Sequence, residues 1–109
     1  MHIKLPHSVA AYLDAENAHL PDAVAACFTV NAAVRDEGRT LEGRAAIRDW
    51  KAATSAKYKP TITPQSAEQL GERCTVHAVV SGNFPGSPID LRFHFTLESG
   101  LISALEISA

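Results

Sequence analysis

Asp36 closes a short apolar run, Ala32-Ala33-Val34-Arg35-Asp36, just before the tight reversal Glu37-Gly38-Arg39. A carboxylate at a strand end that faces an apolar interior loses hydration. Its pKa rises, and it becomes suited to shuttling a proton. The plain alternative is a rim aspartate that caps the hairpin or pairs with Arg35, Arg39 or Arg48. Tyr12 offers a phenolic hydrogen to a developing oxyanion. As a packing residue it would instead bury its ring, with the hydroxyl satisfied at the rim. Trp50 supplies a pocket wall or a helix anchor, and the two roles are compatible.

Other chemistries find little support. His77 and His94 share the outward parity of their strands, and no HxH or HxxxH spacing brings metal ligands together. His77, Arg92 and His94 therefore read as interface or solvent residues, and His2, His7 and His19 as exposed terminal and loop residues. Ser81, Ser87 and Ser99 fall in turns without the GxSxG elbow of a serine hydrolase. The stretch Gly82 to Gly86 lacks a phosphate-cradling glycine pattern and contains Pro85, which has no N–H to give an anion. No metal and no cofactor is expected.

The chain has 109 residues, the size of one domain, and folding at this size buries about 65% of the unfolded surface. At 46% hydrophobic but only 6% aromatic, the core must be filled mostly by aliphatic side chains. The net charge of −2 is dispersed, with no basic stripe interleaved with aromatics, which argues against a nucleic-acid surface. The opening Met-His-Ile-Lys-Leu-Pro has no signal-peptide apolar run, and no stretch approaches the ~20 apolar residues of a membrane span. Cys27 and Cys74 sit in apolar patterns and read as buried free thiols. The expectation is a cytoplasmic protein without nucleic-acid or membrane partners.

The elements that must position these residues follow from periodicity. Residues 7–19 are helical, with Val9, Tyr12, Leu13 and Glu16 on one face and a start at Ser8 or His7. Pro21-Asp22 starts a second helix, predicted over 21–28. A short strand over 32–36 turns back through Thr40-Leu41-Glu42. After Gly43 a third helix covers 44–56, with Ile47, Trp50, Ala53 and Thr54 on one face and Arg44, Arg48, Asp49 and Lys51 on the solvated side. From residue 58 the period becomes alternating. Residues 59–68 carry Pro60 and Pro64 and read as an edge or bulged strand. Strands follow at 73–81, 89–97 and 101–108, with Cys74, Val76, Ala78 and Val80 on one face of the first. Ile89, Leu91, Phe93, Phe95 and Leu97 point inward from the second. The class is α+β in the order α-α-β-β-α-β-β-β-β, a mostly antiparallel sheet with helices on one face.

Three stretches carry a family resemblance: Tyr12 to Phe28; Ala33-Val34-Arg35-Asp36 with Leu41-Glu42-Gly43-Arg44-Ala45-Ala46-Ile47 to Trp50; and Ser81 to Pro88 through Phe93-His94-Phe95 to Gly100-Leu101-Ile102. In this order they resemble the nuclear-transport-factor-2-like superfamily, specifically its SnoaL-like branch. The resemblance implies a cone-shaped half-barrel, a pocket at the wide end and a homodimer through the outer sheet face. Ketosteroid isomerases of the superfamily use an aspartate base and a first-helix tyrosine at positions matched here by Asp36 and Tyr12. Their second acid aligns with Leu91, so a two-donor oxyanion hole is incomplete.

The reading that results is a pocket protein for a small apolar molecule. Trp50, Phe28, Val34, Leu91 and Phe93 contact the ligand. Asp36 abstracts or relays a proton beside a carbonyl or epoxide-like centre, and Tyr12 polarises the oxygen. The alternative is a non-catalytic dimeric binding or interaction domain whose cone its own side chains fill. An open cavity touching Asp36 and Tyr12 would favour the first reading.

Overall fold

The computed structural model describes residues 4–109, and His2 lies outside them. Nine elements follow in the expected order: α1 His7–Asn17, α2 Pro21–Ala26, β1 Phe28–Asp36, β2 Arg39–Glu42, α3 Arg44–Tyr58, β3 Thr61–Leu70, β4 Arg73–Ser81, β5 Ile89–Glu98 and β6 Leu101–Ser108. The strands form one curved sheet in the order β2-β1-β6-β5-β4-β3. Strands β3 to β6 are an antiparallel meander, as the short turns require, and β1 closes the arrangement by pairing parallel to β6.

Alternation decides which face is covered. Cys74, Val76, Ala78 and Val80 of β4 are buried, as are Phe93 and Phe95 of β5, and they meet Val9, Tyr12, Val24, Ile47 and Trp50 of the three helices. The intervening residues of both strands stay exposed or half-buried on the outer face. There His94 spans the sheet, with Nδ1 3.4 Å from Thr75 Oγ1 and Nε2 3.2 Å from Ser108 Oγ.

Several boundaries differ from expectation. The second helix stops at Ala26, and Phe28 is already the first strand residue. Its ring is drawn fully into the core, where it meets Tyr12 edge-on at 5.7 Å. The extended run therefore begins before the predicted 32–36. Helix α1 starts at His7, one of the two starts expected, and Ser8 lies in its first turn with a buried hydroxyl that has no partner among the described residues. Gly43 precedes α3 at φ +87°, a left-handed conformation that glycine takes without strain.

Strand β3 is both an edge and bulged, since its register to β4 slips between Pro64 and Ser66. Asn17 covers the start of this edge like a short extra strand. Its side-chain amide donates to Ile62 O at 2.9 Å and accepts from Ile62 N at 2.7 Å. No helix among the described residues is long and apolar enough to cross a membrane.

Candidate functional site

The inner residues of β5 run from solvent into the packed interior: Ile89 is exposed, Leu91 half-buried, and Phe93 and Phe95 buried. The helices fill the space over Phe95, where Tyr12 meets its ring at 5.5 Å, but leave a hollow over Phe93 and Leu91. This cavity has a volume of about 640 Å³ and opens to solvent on one side. Its apolar walls include Leu41, Trp50, Ile62, Val80, Leu91, Phe93 and Ile107.

One wall depends on the loop over residues 82–88. Asn83 N–H donates to Tyr58 O at 2.7 Å, and Phe84 packs edge-on to Tyr58 with ring centroids 6.0 Å apart. A Cβ at Gly82 would stand 2.7 Å from Tyr58 O, so only glycine lets the loop close on the end of α3. Tyr58, Phe84 and Pro85 thereby become part of the cavity lining.

Asp36 faces this cavity. Trp50 Nε1–H donates to its Oδ2 at 3.3 Å, and no arginine forms an ion pair with it among the described residues. Burial raises its pKa above the ordinary 3.8. The charges of Glu37 and Glu16 push the same way, opposed by the Trp50 hydrogen bond and by Arg39.

Tyr12 has a different place. It is fully buried beneath the cavity floor, and its hydroxyl donates to Glu16 Oε2 at 2.5 Å. Burial raises its pKa well above 10.0, reinforced by the charge and hydrogen bond of Glu16. Phe28 and Val34 are also fully buried and do not reach the cavity surface. Of the seven residues singled out from the sequence, the cavity thus brings together Asp36, Trp50, Leu91 and Phe93, while Tyr12, Phe28 and Val34 form the packing behind it.

Glu16 and Lys51 are the residues that sequence reasoning missed. Lys51, assigned to the solvated side of α3, is fully buried, and its Nζ lies 2.5 Å from Glu16 Oε1. Glu16 is 5% exposed and lines the cavity. The available signal was a carboxylate on the apolar face of α1, one turn beyond Tyr12, where i and i+4 side chains meet. Ala53, expected on the inner face of α3, lies at the cavity rim and is exposed. His19 is half-buried, with Nδ1 3.1 Å from Ser55 Oγ. Both cysteines are free, buried thiols whose pKa burial raises.

An α+β cone with a hollow wide end and a carboxylate in it defines a class, and comparison with known proteins narrows it. Residues 9–105 match the SnoaL-like domain model, and the chain belongs to that family. A polyketide cyclase candidate from Sinorhizobium meliloti is 38% identical over 95% of each chain, with a TM-score of 0.92. A Catenulispora acidiphila protein with a ketosteroid isomerase-like fold, solved in complex with trimethylamine, is 25% identical over 97% of this chain and 87% of its own, with a TM-score of 0.88. SalBIII, an epoxide hydrolase/cyclase-like enzyme of pyran ring formation in the polyether salinomycin, is 26% identical over 93% of this chain and 86% of its own, with a TM-score of 0.82. No curated protein matches the chain.

Proposed function

We propose that this SnoaL-like protein is an acid–base enzyme of the isomerase, cyclase or lyase type acting on a small apolar molecule with a carbonyl- or epoxide-type oxygen. The observation that carries the reading is the Asp36 carboxylate: it faces a largely apolar cavity, forms no ion pair with an arginine among the described residues, and has its proton affinity raised by burial. Such a group exchanges a proton with a bound substrate near neutral pH more readily than an exposed aspartate does. Trp50 orients it through the indole N–H, and Leu91 and Phe93 offer the apolar contact surface. Tyr12 acts from behind the cavity floor, through Glu16, and not as a direct donor to the substrate oxygen.

A thermal-shift screen of small ketones and epoxides tests this reading. Binders are expected to stabilise wild type and Asp36→Asn alike, whereas only wild type turns them over. Equal turnover by Asp36→Asn, or no binder among either class, removes the proposal. The same reading includes a homodimer through the outer face bearing Thr75, His77, Val79, Arg92, His94 and Thr96, because no helix among the described residues covers that face and a two-fold contact uses one patch twice. Light scattering at micromolar concentration should report twice the chain mass.

A further inference from the structure

Glu16 and Lys51 are expensive groups to bury, and packing gives no reason for them. Replacing a buried ion pair by apolar side chains of similar volume is often neutral or stabilising. Lys51 Nζ nevertheless has Glu16 Oε1 at 2.5 Å as its ionic partner and meets no further acceptor among the described residues. Glu16 holds the Tyr12 hydroxyl on its other oxygen, and what little of it is exposed opens into the cavity that Asp36 also lines. Two side chains, Tyr12 from α1 and Lys51 from α3, thus fix one carboxylate at the edge of a substrate-sized hollow.

We propose that Glu16 is a second catalytic carboxylate, facing the substrate together with Asp36, and that Lys51 and Tyr12 are its positioning residues. The proposal rests on the reading of Asp36 as a proton-transfer group. At a ketone, the Glu16 carboxylate takes a proton from the carbon next to the carbonyl. The C–H electron pair becomes a C=C bond, the carbonyl π pair moves onto oxygen, and Asp36 in its acid form gives that oxygen its proton. Glu16 ends with one proton more, Asp36 with one fewer, and the product is the neutral enol. The charge of the cluster is the same before and after, since the negative charge passes from Glu16 to Asp36 while Lys51 stays cationic. In a poorly hydrated site this avoids the cost of changing the net buried charge. Around the pair stand Tyr12 from α1, Lys51 and Trp50 from α3, and Glu37 and Arg39 from the β1–β2 hairpin, with Lys57 at the rim.

Two measurements test the pair. In the first, carbon-13 NMR follows the Asp36 carboxyl through pH in wild type, Glu16→Gln and Glu16→Gln/Lys51→Met. The double variant removes both buried charges and so remains packable if the single variant does not fold. Glu16 is among the charges that raise the Asp36 pKa, so the midpoint is expected to fall in Glu16→Gln, and to fall by less in the double variant, which also loses the Lys51 cation. A midpoint that stays at its wild-type position overturns the proposal. In the second, deuterium uptake by cyclohexanone in heavy water is followed by proton NMR. Glu16→Gln is expected to lose about 100-fold of the enzymatic rate while binding the ketone as wild type does. Lys51→Arg retains activity, and Lys51→Met displaces the pH profile. Wild-type exchange in Glu16→Gln overturns the catalytic role. Absence of exchange in wild type itself removes the carbonyl reading of Asp36, and the titration still decides whether the two carboxylates form one pair.

Discussion

The two ends of the concave sheet surface use the same strands to opposite effect. At one end Phe95 of β5, Phe28 of β1 and Tyr12 of α1 meet as edge-on aromatic rings and exclude solvent. At the other, Leu91 and Phe93, the preceding inward residues of the same strand, look into a hollow of about 640 Å³. Strand alternation is identical in both, so the difference comes from what the helices put opposite. Helix α1 presents a tyrosine to Phe95 but a glutamate to the hollow, and the carboxylate is held back by Lys51. Apolar packing stabilises the closed end, while ionic and hydrogen-bonded pairing keeps the open end open.

The largest expected effect belongs to the closed end. Phe28→Ala should cost about 3–5 kcal/mol, because a fully buried ring leaves a cavity that rigid neighbours cannot refill. Leu91→Ala, whose side chain already borders open space, should cost about 2 kcal/mol in the same urea titration, the low end of the range because it leaves no new enclosed void. Equal losses at the two sites would erase the contrast between them.

Next comes the ion pair that divides the two ends. Lys51→Met leaves Glu16 without its cation and should destabilise by about 3 kcal/mol. Glu16→Gln/Lys51→Met should be more stable than Lys51→Met alone, because no uncompensated charge remains. A double-mutant cycle from denaturant melts measures this, and simple additivity would mean that the two charges do not stabilise each other.

Asp36→Asn should act in the opposite direction. A folded-state pKa above the ordinary 3.8 means that the native protein binds the proton more tightly than the unfolded chain. Stability from this group is therefore lost as pH rises from about 3.8 through the raised native value. Asp36→Asn removes that loss, so its melting temperature should exceed that of wild type at neutral pH, and the gap should close as pH falls below about 4. A gap that widens on acidification would indicate a depressed native pKa.

The smallest effect is expected at the surface of α3. Arg48 reaches Asp22 at 3.7 Å and Asp49 at 3.1 Å, but its side chain is half exposed and both partners are more so. Arg48→Ala should change stability by about 0–1 kcal/mol and leave ligand binding unchanged. Set beside Lys51→Met, it sharpens the lesson that burial, and not the presence of a charge pair, decides the outcome.

These contrasts mark how far the sequence carries. Period-two alternation made the inward set of β4 and β5 legible, and Pro64 announced the bulged edge, because both are consequences of backbone geometry that each segment imposes on itself. Asp36 was legible as the end of an apolar strand before a tight turn, and Trp50 as an inward helix residue. The early start of β1 was not, since Phe28 leaves the helical run only because its ring finds Tyr12 in the core.

Lys51 was read as solvated because a charge belongs in water unless a partner removes the penalty, and that partner is on another helix. For the same reason the sequence placed Tyr12 at the ligand, whereas its hydroxyl is taken by Glu16. What the sequence determined alone is the order of the elements and the buried face of the long strands, since these rest on local sterics and spacing. Which buried polar groups meet, and which end of the cone stays hollow, was decided only by tertiary structure. Desolvation and pairing depend on neighbours that the chain brings together only when it folds.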